Sequence, residues 1–202
     1  MQVGKWNVEY LEQSHLYLVN GVVVPSITTI LKTKFPMDDS IPEDVLDNAR
    51  QRGNRVHKEV EDYETNGTVA EDSEELKNYI KLKARHSFNV VDVEKIIVLE
   101  LDNKPVAAGR LDQVIIDRNG DLAINDLKST SKLNTAYLYY QTNFYRIGHN
   151  QTYGTNIQKC YATHLKGNEA SFKPIVRNDA IVIKLLVDFL SEQKEEELSL
   201  DL

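Results

Sequence analysis

The 202-residue sequence predicts an α/β domain with one mixed central sheet flanked by helices. Three observations predict this class: the order helix, three strands, helix, strand that begins at Ser73, a length that suits one full core, and the lack of repeats or a low-complexity linker. We therefore expect a single domain over residues 1–202, with an N-terminal hairpin and helix extension at about 1–40 and an acidic tail at about 188–202.

The first elements are predicted from turn and capping residues. Asn20 and Gly21 lie between two apolar runs in HLYLVNGVVVPS, which is typical of a β-hairpin because both residues tolerate positive φ. Ser26 is placed to cap a short helix, SITTILKTK. Helical spacing of apolar residues then predicts helices at about 42–64 and 73–86.

The second half of the chain alternates strands with helices. Short turns that contain Asn, Gly or Pro separate the strands, and one helix is rich in aromatic residues. The predicted segments are strands at about 90–101, 106–117 and 121–128, a helix at about 135–153, strands at about 157–165 and 170–176, and a final helix that begins at Asp179.

Composition excludes several classes of protein. The net charge of −7 argues against a protein that coats nucleic acid non-specifically, although six acids and one lysine lie from Asp188 onward and the rest carries only −2. MQVGKWNVEY lacks the apolar run of a signal peptide, and AIVIKLLVDFL is too short and too charged to span a membrane. The single cysteine, Cys160, excludes an internal disulfide and a zinc or iron–sulfur site made of this chain's thiolates alone. We expect a cytoplasmic protein with no membrane partner.

Charged residues interrupt two strands that the pattern otherwise predicts to be buried. Asp126 and Lys128 project from one face of their strand because side chains alternate. If the turn at 118–120 has three residues, Asp112 lies opposite Asp126, where like charges destabilise the sheet. A two-residue turn would instead send the two acids to opposite faces.

Two facing carboxylates beside a lysine indicate a divalent-metal site. Oxygen ligands favour Mg²⁺ or Mn²⁺ over zinc, and such an ion would polarise a phosphoryl oxygen and acidify a bound water. Lys128 would orient that water or balance developing charge. The alternative is that these residues are strand-end charges at a solvated sheet edge.

His57 lies one turn after Gly53 on the apolar side of its predicted helix. Glycine inside a helix costs about 1 kcal/mol relative to alanine, so its presence indicates that something approaches closely. His57 is then a candidate imidazole ligand for a metal. The alternative is a core histidine whose hydrogen bonds are satisfied.

The aromatic helix carries further polar candidates. Gln141 and Tyr145 are four residues apart on one face, where they can hydrogen-bond a base, a phosphate or a metal-bound water. Arg146 and Lys132 are candidates for contacts with backbone phosphates. The alternative is that this helix only packs its aromatic side chains on the sheet.

Together these motifs resemble the PD-(D/E)XK nuclease superfamily, specifically its RecB-like exonuclease branch. The matching motifs occur in the family's order: G-x-x-x-H at 53–57, G-R-L-D at 109–112, D-L-K at 126–128 and Q-x-x-x-Y at 141–145. VPSITTIL and the run from QTNFYRIG to ATHL look like phage-encoded members of that branch. The resemblance covers about residues 15–177.

The resemblance implies a restriction-endonuclease-like core (α-β-β-β-α-β) and metal-dependent hydrolysis of phosphodiester bonds in DNA. It implies that Asp112 and Asp126 bind one or two Mg²⁺ or Mn²⁺ ions, joined by the Leu127 carbonyl, and that His57 completes a second metal position. The family often has another acid on the preceding strand. Glu94 and Glu100 both fit that position, and Glu94 is the preferred candidate.

The resemblance also assigns the remaining motif residues. Lys128 is the catalytic lysine, and Gln141 with Tyr145 is the supporting pair of this branch. The sequence departs from the family's pattern in two ways. Asp126 stands where Glu is more usual, and the four cysteines that hold an iron–sulfur cluster in some relatives are absent, so we expect no cluster.

The function that these residues predict is a Mg²⁺- or Mn²⁺-dependent DNA nuclease, preferably an exonuclease of phage or prophage recombination or repair. We expect DNA as its substrate, a single-strand annealing protein or helicase as its protein partner, and the cytoplasm of a bacterial or phage-infected cell as its location. One alternative is a structure-specific or nicking endonuclease. An alternative from a different class is a non-catalytic DNA- or protein-binding module that retains the nuclease fold.

Overall fold

The computed structural model describes residues 1–11, 16–36, 40–70 and 73–200, with the backbone alone for 196–200. Helices and strands alternate in two groups, a strand-rich N-terminal part and a larger mixed part. The elements in chain order are β1 (Gln2–Val3), β2 (Trp6–Leu11), β3 (Leu16–Val19), β4 (Val22–Val24), α1 (Ile27–Lys34), α2 (Glu43–Asn66), α3 (Glu74–His86), β5 (Asn89–Leu101), β6 (Lys104–Ile116), β7 (Leu122–Lys128), α4 (Thr135–Tyr153), β8 (Lys159–Lys166), β9 (Glu169–Ile175) and α5 (Asp179–Leu200).

The main sheet has five strands in the order β5-β6-β7-β8-β9. β5, β6 and β7 form an antiparallel meander, and β8 pairs parallel with β7 after the crossover through α4. β9 then pairs antiparallel with β8. The predicted α/β class, with a mixed sheet and the order helix, three strands, helix, strand, is therefore confirmed.

The turn between β6 and β7 has three residues. The backbone amide of Asp117 donates to the carbonyl of Asp121 at 2.9 Å, and the amide of Gly120 donates to the carbonyl of Asp117 at 2.9 Å. Gly120 has φ of +84°, the left-handed conformation that glycine adopts without steric cost. The three-residue turn, which was one of two alternatives open from the sequence, is the one observed.

Helices cover both faces of the main sheet. The buried cluster on one face joins the sheet to α1, α4 and α5, and the cluster on the other face joins it to α2 and α3. Ser26 and Ser73 cap α1 and α3 by accepting backbone amides, which satisfies donors that a helix start leaves unpaired. None of the helices in the described residues combines the length and apolar character needed to cross a bilayer.

The N-terminal part is a four-stranded sheet in the order β1-β2-β3-β4. The predicted hairpin forms β3 and β4, although its first residue lies outside the described ranges. β1 and β2 were not predicted. They form because Trp6 and Val8 are buried while Asn7 and Glu9 are exposed, the two-residue alternation of a half-buried strand. This sheet packs its buried face on Val98 and Ala108 of the main sheet.

Candidate active site

Strand register brings three acidic residues into one row across the main sheet. Gln113 on β6 pairs with Asn125 on β7, so the next positions, Asp112 and Asp126, lie opposite each other. On β5, Val93 pairs with Gln113 and Lys95 pairs with Leu111, so Glu94 between them lies opposite Asp112. Neighbouring carboxylates in such a row repel one another, so the row has a structural cost unless cations neutralise it.

His57 reaches this row from α2. Its Nε2 lies 3.0 Å from the carbonyl oxygen of Leu127, and its Nδ1 lies 3.7 Å from Oδ1 of Asp112. A carbonyl only accepts hydrogen bonds, so Nε2 carries a proton, and in the neutral imidazole Nδ1 has the lone pair. The side chain is 29% exposed, so His57 is not a fully buried core residue, and its role as a metal ligand stays a prediction.

The carbonyl of Leu127 is already an acceptor for two groups. Besides Nε2 of His57, it accepts a hydrogen bond from Nζ of Lys128 at 3.2 Å. The amide of Leu127 donates to Oδ2 of Asp112 at 2.6 Å. The backbone at Leu127 therefore orients the imidazole and one carboxylate, which is how groups behind the ligands fix a metal site.

A compact group of possible ligands forms around Asp112. His57, Glu94 and Asp112 each offer a ligand atom, and these atoms lie within 4.8 Å of one another. Glu100, the other acid that fitted the upstream position, pairs instead with Lys5 at 2.6 Å. Of the two acids that the resemblance left open, only Glu94 lies in this group.

Asp126 is fully buried beside Lys128. Nζ of Lys128 contacts Oδ2 as an ion pair, and Oδ1 has no hydrogen-bond partner within the described part of the chain. The pKa of Asp126 is raised to about 6, chiefly by burial and also by the charge of Asp112, and the attraction of Lys128 only partly opposes these two causes. For Lys128, burial lowers the pKa, but the nearby Asp126 and Asp112 carboxylates outweigh it and raise the pKa above its usual value.

The donor set fits a hard divalent cation. A buried charge without hydrogen bonds is costly, and such a group needs an explanation in a native protein. Oδ1 of Asp126 and the carboxylates of Asp112 and Glu94 are oxygen donors of the kind that Mg²⁺ and Mn²⁺ prefer, and the imidazole of His57 is a nitrogen donor beside them. The sole cysteine, Cys160, is buried and its thiol donates to the Thr142 carbonyl.

A cleft of about 860 Å³ opens onto His57, Glu94 and Asp112. Gly53 lines it, and a Cβ at this position would meet Ser129 Oγ at 3.8 Å, an ordinary contact. The close approach predicted from Gly53 is therefore not required by the protein's own atoms. The cleft is lined by Tyr10, Arg50, Gly53, Asn54, His57, Lys58, Glu61, Glu94, Arg110 and Asp112.

The chain resembles the PD-(D/E)XK nuclease core in the order of its elements and motifs. The strands and helices follow the order of that core. G-R-L-D and D-L-K fall on the neighbouring strands β6 and β7, and Q-x-x-x-Y falls on α4. G-x-x-x-H falls on α2, from which His57 contacts the end of β7.

Comparison with known proteins gives fold-level likeness alone. No family model and no curated protein matches the chain. It is similar to an alkaline exonuclease (LHK-Exo) from Laribacter hongkongensis, with 14% identity, a TM-score of 0.48, and coverage of 85% of this chain and 79% of that chain. It is also similar to a "Putative exonuclease" from Eubacterium rectale, with 13% identity, a TM-score of 0.38, and coverage of 78% and 67%.

Gln141 and Tyr145 interact directly on α4. Nε2 of Gln141 donates to the Tyr145 hydroxyl at 3.1 Å, and Oε1 of Gln141 is buried without a partner in the described residues. Burial raises the pKa of Tyr145 well above its usual value, and the charges of Asp112 and Asp126 raise it further. The pair therefore lies within electrostatic reach of both acids, and its helix also packs aromatic residues on the sheet.

The prediction that Arg146 contacts DNA phosphates is wrong. Its side chain is 2% exposed, pairs with Asp179 at the start of α5 and donates to the Ile157 carbonyl at 3.4 Å. A buried guanidinium held in this way is a packing element between α4 and α5. Lys132, the other predicted phosphate contact, is exposed in the segment between β7 and α4.

The sequence reading missed Arg110. This residue lies two positions before Asp112 on β6, and its Nε is 2.7 Å from Oε2 of Glu94. The signal was present in the sequence, because residues two apart on a strand project from the same face. The contact itself could not be predicted, because Glu94 lies on another strand.

Proposed function

We propose that the protein is a divalent-metal-dependent deoxyribonuclease. The observation that carries the proposal is the row of Glu94, Asp112 and Asp126, in which Oδ1 of the buried Asp126 has no partner among the described residues while Lys128 contacts its Oδ2. Structural carboxylates are normally satisfied, so this arrangement supports a cation-binding role. The nuclease fold of the chain supports DNA as the substrate class.

The proposed metal-binding residues are Asp112, Asp126, His57 and Glu94. His57 would bind through Nδ1, because its Nε2 proton is donated to the Leu127 carbonyl. The Leu127 carbonyl, predicted as a ligand, is thereby proposed to orient the imidazole. When bound, Mg²⁺ or Mn²⁺ would supply Lewis-acid polarisation of a phosphoryl oxygen and acidify a water ligand.

Lys128 is the proposed catalytic lysine. The surrounding carboxylates keep its pKa high, so its ammonium carries a positive charge at neutral pH. A fixed charge stabilises the transition state when negative charge develops on the phosphoryl oxygens beside it. Gln141 and Tyr145 are proposed to hold polar substrate atoms or water near the acids, and Lys132 to contact a backbone phosphate from the exposed segment after β7.

Within this class we propose an exonuclease that acts in phage or prophage recombination or repair. The four motifs in the order of the RecB-like exonuclease branch support this choice. A single-strand annealing protein or a helicase is the proposed protein partner, and the cytoplasm the proposed location. We further propose that residues 1–202 act as one nuclease domain.

The test is digestion of end-labelled linear DNA beside covalently closed circular DNA, with Mg²⁺, Mn²⁺ or EDTA. Loss of label from linear DNA alone, only with metal, is the expected result. Cleavage of the circle would indicate an endonuclease. No cleavage of either substrate, in a preparation that binds DNA, would indicate a non-catalytic module and overturn the proposal.

A further inference from the structure

The row of Glu94, Asp112 and Asp126 has a basic side chain at each end. Lys128 contacts Asp126 at the β7 end, and Arg110 contacts Glu94 at the β5 end, with Nε 2.7 Å from Oε2. The two contacts differ in kind. Lys128 carries a compact ammonium, whereas Arg110 offers a planar fork of donors that fixes the orientation of a carboxylate as well as its charge.

Glu94 needs such an orienting partner. Its φ is +50°, a conformation that residues other than glycine adopt infrequently and that interrupts the regular alternation of a strand. The side chain is 26% exposed, so packing alone does not immobilise it. Because Arg110 engages Oε2, the same carboxylate can offer Oε1 to an ion without rotating.

Arg110 is itself held by the N-terminal sheet. Its guanidinium lies over the ring of Tyr10 on β2, 5.8 Å from the ring centroid, and that ring packs on Tyr17 of β3 with centroids 4.8 Å apart. Stacking of a guanidinium on an aromatic face is favourable and directional. Arg110 and Tyr10 both line three adjoining clefts of about 860, 610 and 140 Å³, so they lie where these clefts meet.

We propose that Arg110 is a positioning residue that orients Glu94 for binding a divalent cation, and that Tyr10 fixes Arg110 in this role. The inference rests on the proposed function, because it concerns the same metal site. It gives the N-terminal sheet a part in the active site: a residue of β2 acts on a proposed metal ligand of β5 through an arginine of β6. Groups that hold metal-binding carboxylates and histidines in place are typical of such sites.

The test measures Mn²⁺ binding to the full chain by titration calorimetry without DNA. Arg110→Leu should bind Mn²⁺ roughly 10- to 100-fold more weakly than the wild type. Arg110→Lys should fall between them, because an ammonium replaces the charge but not the planar fork. Arg55→Leu is the matched control: Arg55 is similarly exposed, pairs with Glu59 and Glu75 on helices, and should leave Mn²⁺ affinity unchanged.

A second pair of variants tests the link to the N-terminal sheet. Tyr10→Ala removes the ring under the guanidinium and should weaken Mn²⁺ binding, whereas Tyr10→Phe keeps the ring face and should retain more affinity than Tyr10→Ala. Melting temperatures in EDTA identify variants that fail to fold. If Arg110→Leu does not fold, Arg110→Lys and Tyr10→Ala decide the question.

The outcomes separate the two proposals. No Mn²⁺ binding by the wild type would overturn the proposed metal site itself. Wild-type binding with unchanged affinity in the folded Arg110 variants would overturn the positioning role alone. Tighter binding in Arg110→Leu would also overturn it, because the guanidinium would then be a competitor for Glu94.

Discussion

Two buried aspartates at opposite ends of the β6–β7 hairpin have opposite surroundings. Asp117, at the turn, is 3% exposed in its side chain and fully hydrogen-bonded. Asp126, toward the other end, is 0% exposed; its Oδ2 contacts Lys128, and its Oδ1 has no hydrogen-bond partner within the described residues. The partners of Asp117 are the amides of Asn119 and Asp121, Nζ of Lys159 and the hydroxyl of Tyr161.

The two carboxylates respond to burial differently. Burial alone raises the pKa of Asp117, but the Lys159 ammonium and the hydrogen bonds outweigh it and hold the pKa at about 2. Burial dominates for Asp126, whose pKa is raised to about 6 although Lys128 contacts it. Asp117 therefore stabilises the fold in its charged form, whereas Asp126 is charged at a cost that a bound cation would offset.

The largest expected effect is the difference in nuclease turnover between variants of the two lysines that contact these aspartates. Lys128→Met should lower nuclease turnover by roughly 10²- to 10³-fold, because it removes a fixed charge at the transition state. DNA binding and Mn²⁺ binding should persist. The matched control is Lys159→Met, which loses the ion pair with Asp117 and should keep its turnover. Undiminished turnover in Lys128→Met would remove Lys128 from the proposed chemistry.

His57 should be the next most sensitive residue. His57→Ala removes a proposed ligand and should lower activity by at least roughly 10- to 100-fold. Its melting temperature in EDTA should change little, because the side chain is partly exposed. His149, which is 4% exposed and bonded to Thr155, is the matched core histidine. His149→Ala should lose stability and retain specific activity; the reverse pattern would mean that the two roles have been assigned wrongly.

Asp117→Asn should affect stability alone. The carboxylate contributes about 2 kcal/mol from a pKa lowered from 3.8 to about 2, which corresponds to about 4–8 °C in melting temperature for a chain of this size. That contribution is present above pH 3.8 and is lost as the pH falls towards 2, because the unfolded state then binds the extra proton first. The variant should lack this step in a pH series of melting curves. An equal step in wild type and variant would contradict the assignment.

The smallest expected effect is that of Asp126→Asn on stability in EDTA. A neutral amide replaces a carboxylate whose ionised form is disfavoured even beside Lys128, so the melting temperature should not fall below that of the wild type. The same variant should lose the stabilisation that Mn²⁺ gives the wild type. A clear loss of stability in EDTA would show that Asp126 is a structural ion-pair partner like Asp117.

The sequence predicted Asp112 opposite Asp126 on the condition that the turn between their strands has three residues, because the register depends on the local chemistry of the turn. The turn at 118–120 ends in a glycine, and once its length is known the alternation of side chains places Asp112 opposite Asp126. The α/β order and most element boundaries follow from periodicity for the same reason. The unpredicted strands β1 and β2 carried that signal too, in the alternation of Trp6 to Glu9.

Contacts between distant segments were beyond this reasoning. Arg146 follows Tyr145 on a helix whose side chains contact both the sheet and α5, and its partner Asp179 lies 33 residues away. Helical spacing gives the faces of α4 but not what packs on each. The burial of Asp126 and the donation from His57 to Leu127 likewise depend on how α2 and α4 dock, which periodicity does not determine.

The most direct test of the central claim is a crystal structure with Mn²⁺, using its anomalous scattering to locate the ion. The expected result is an anomalous peak bonded to carboxylate oxygens of Asp112 and Asp126, with Nδ1 of His57 or Glu94 as a further ligand at this or a second peak. No peak appears at Asp117 if that residue is structural. A well-ordered crystal in Mn²⁺ without a peak at Asp126 would contradict the account.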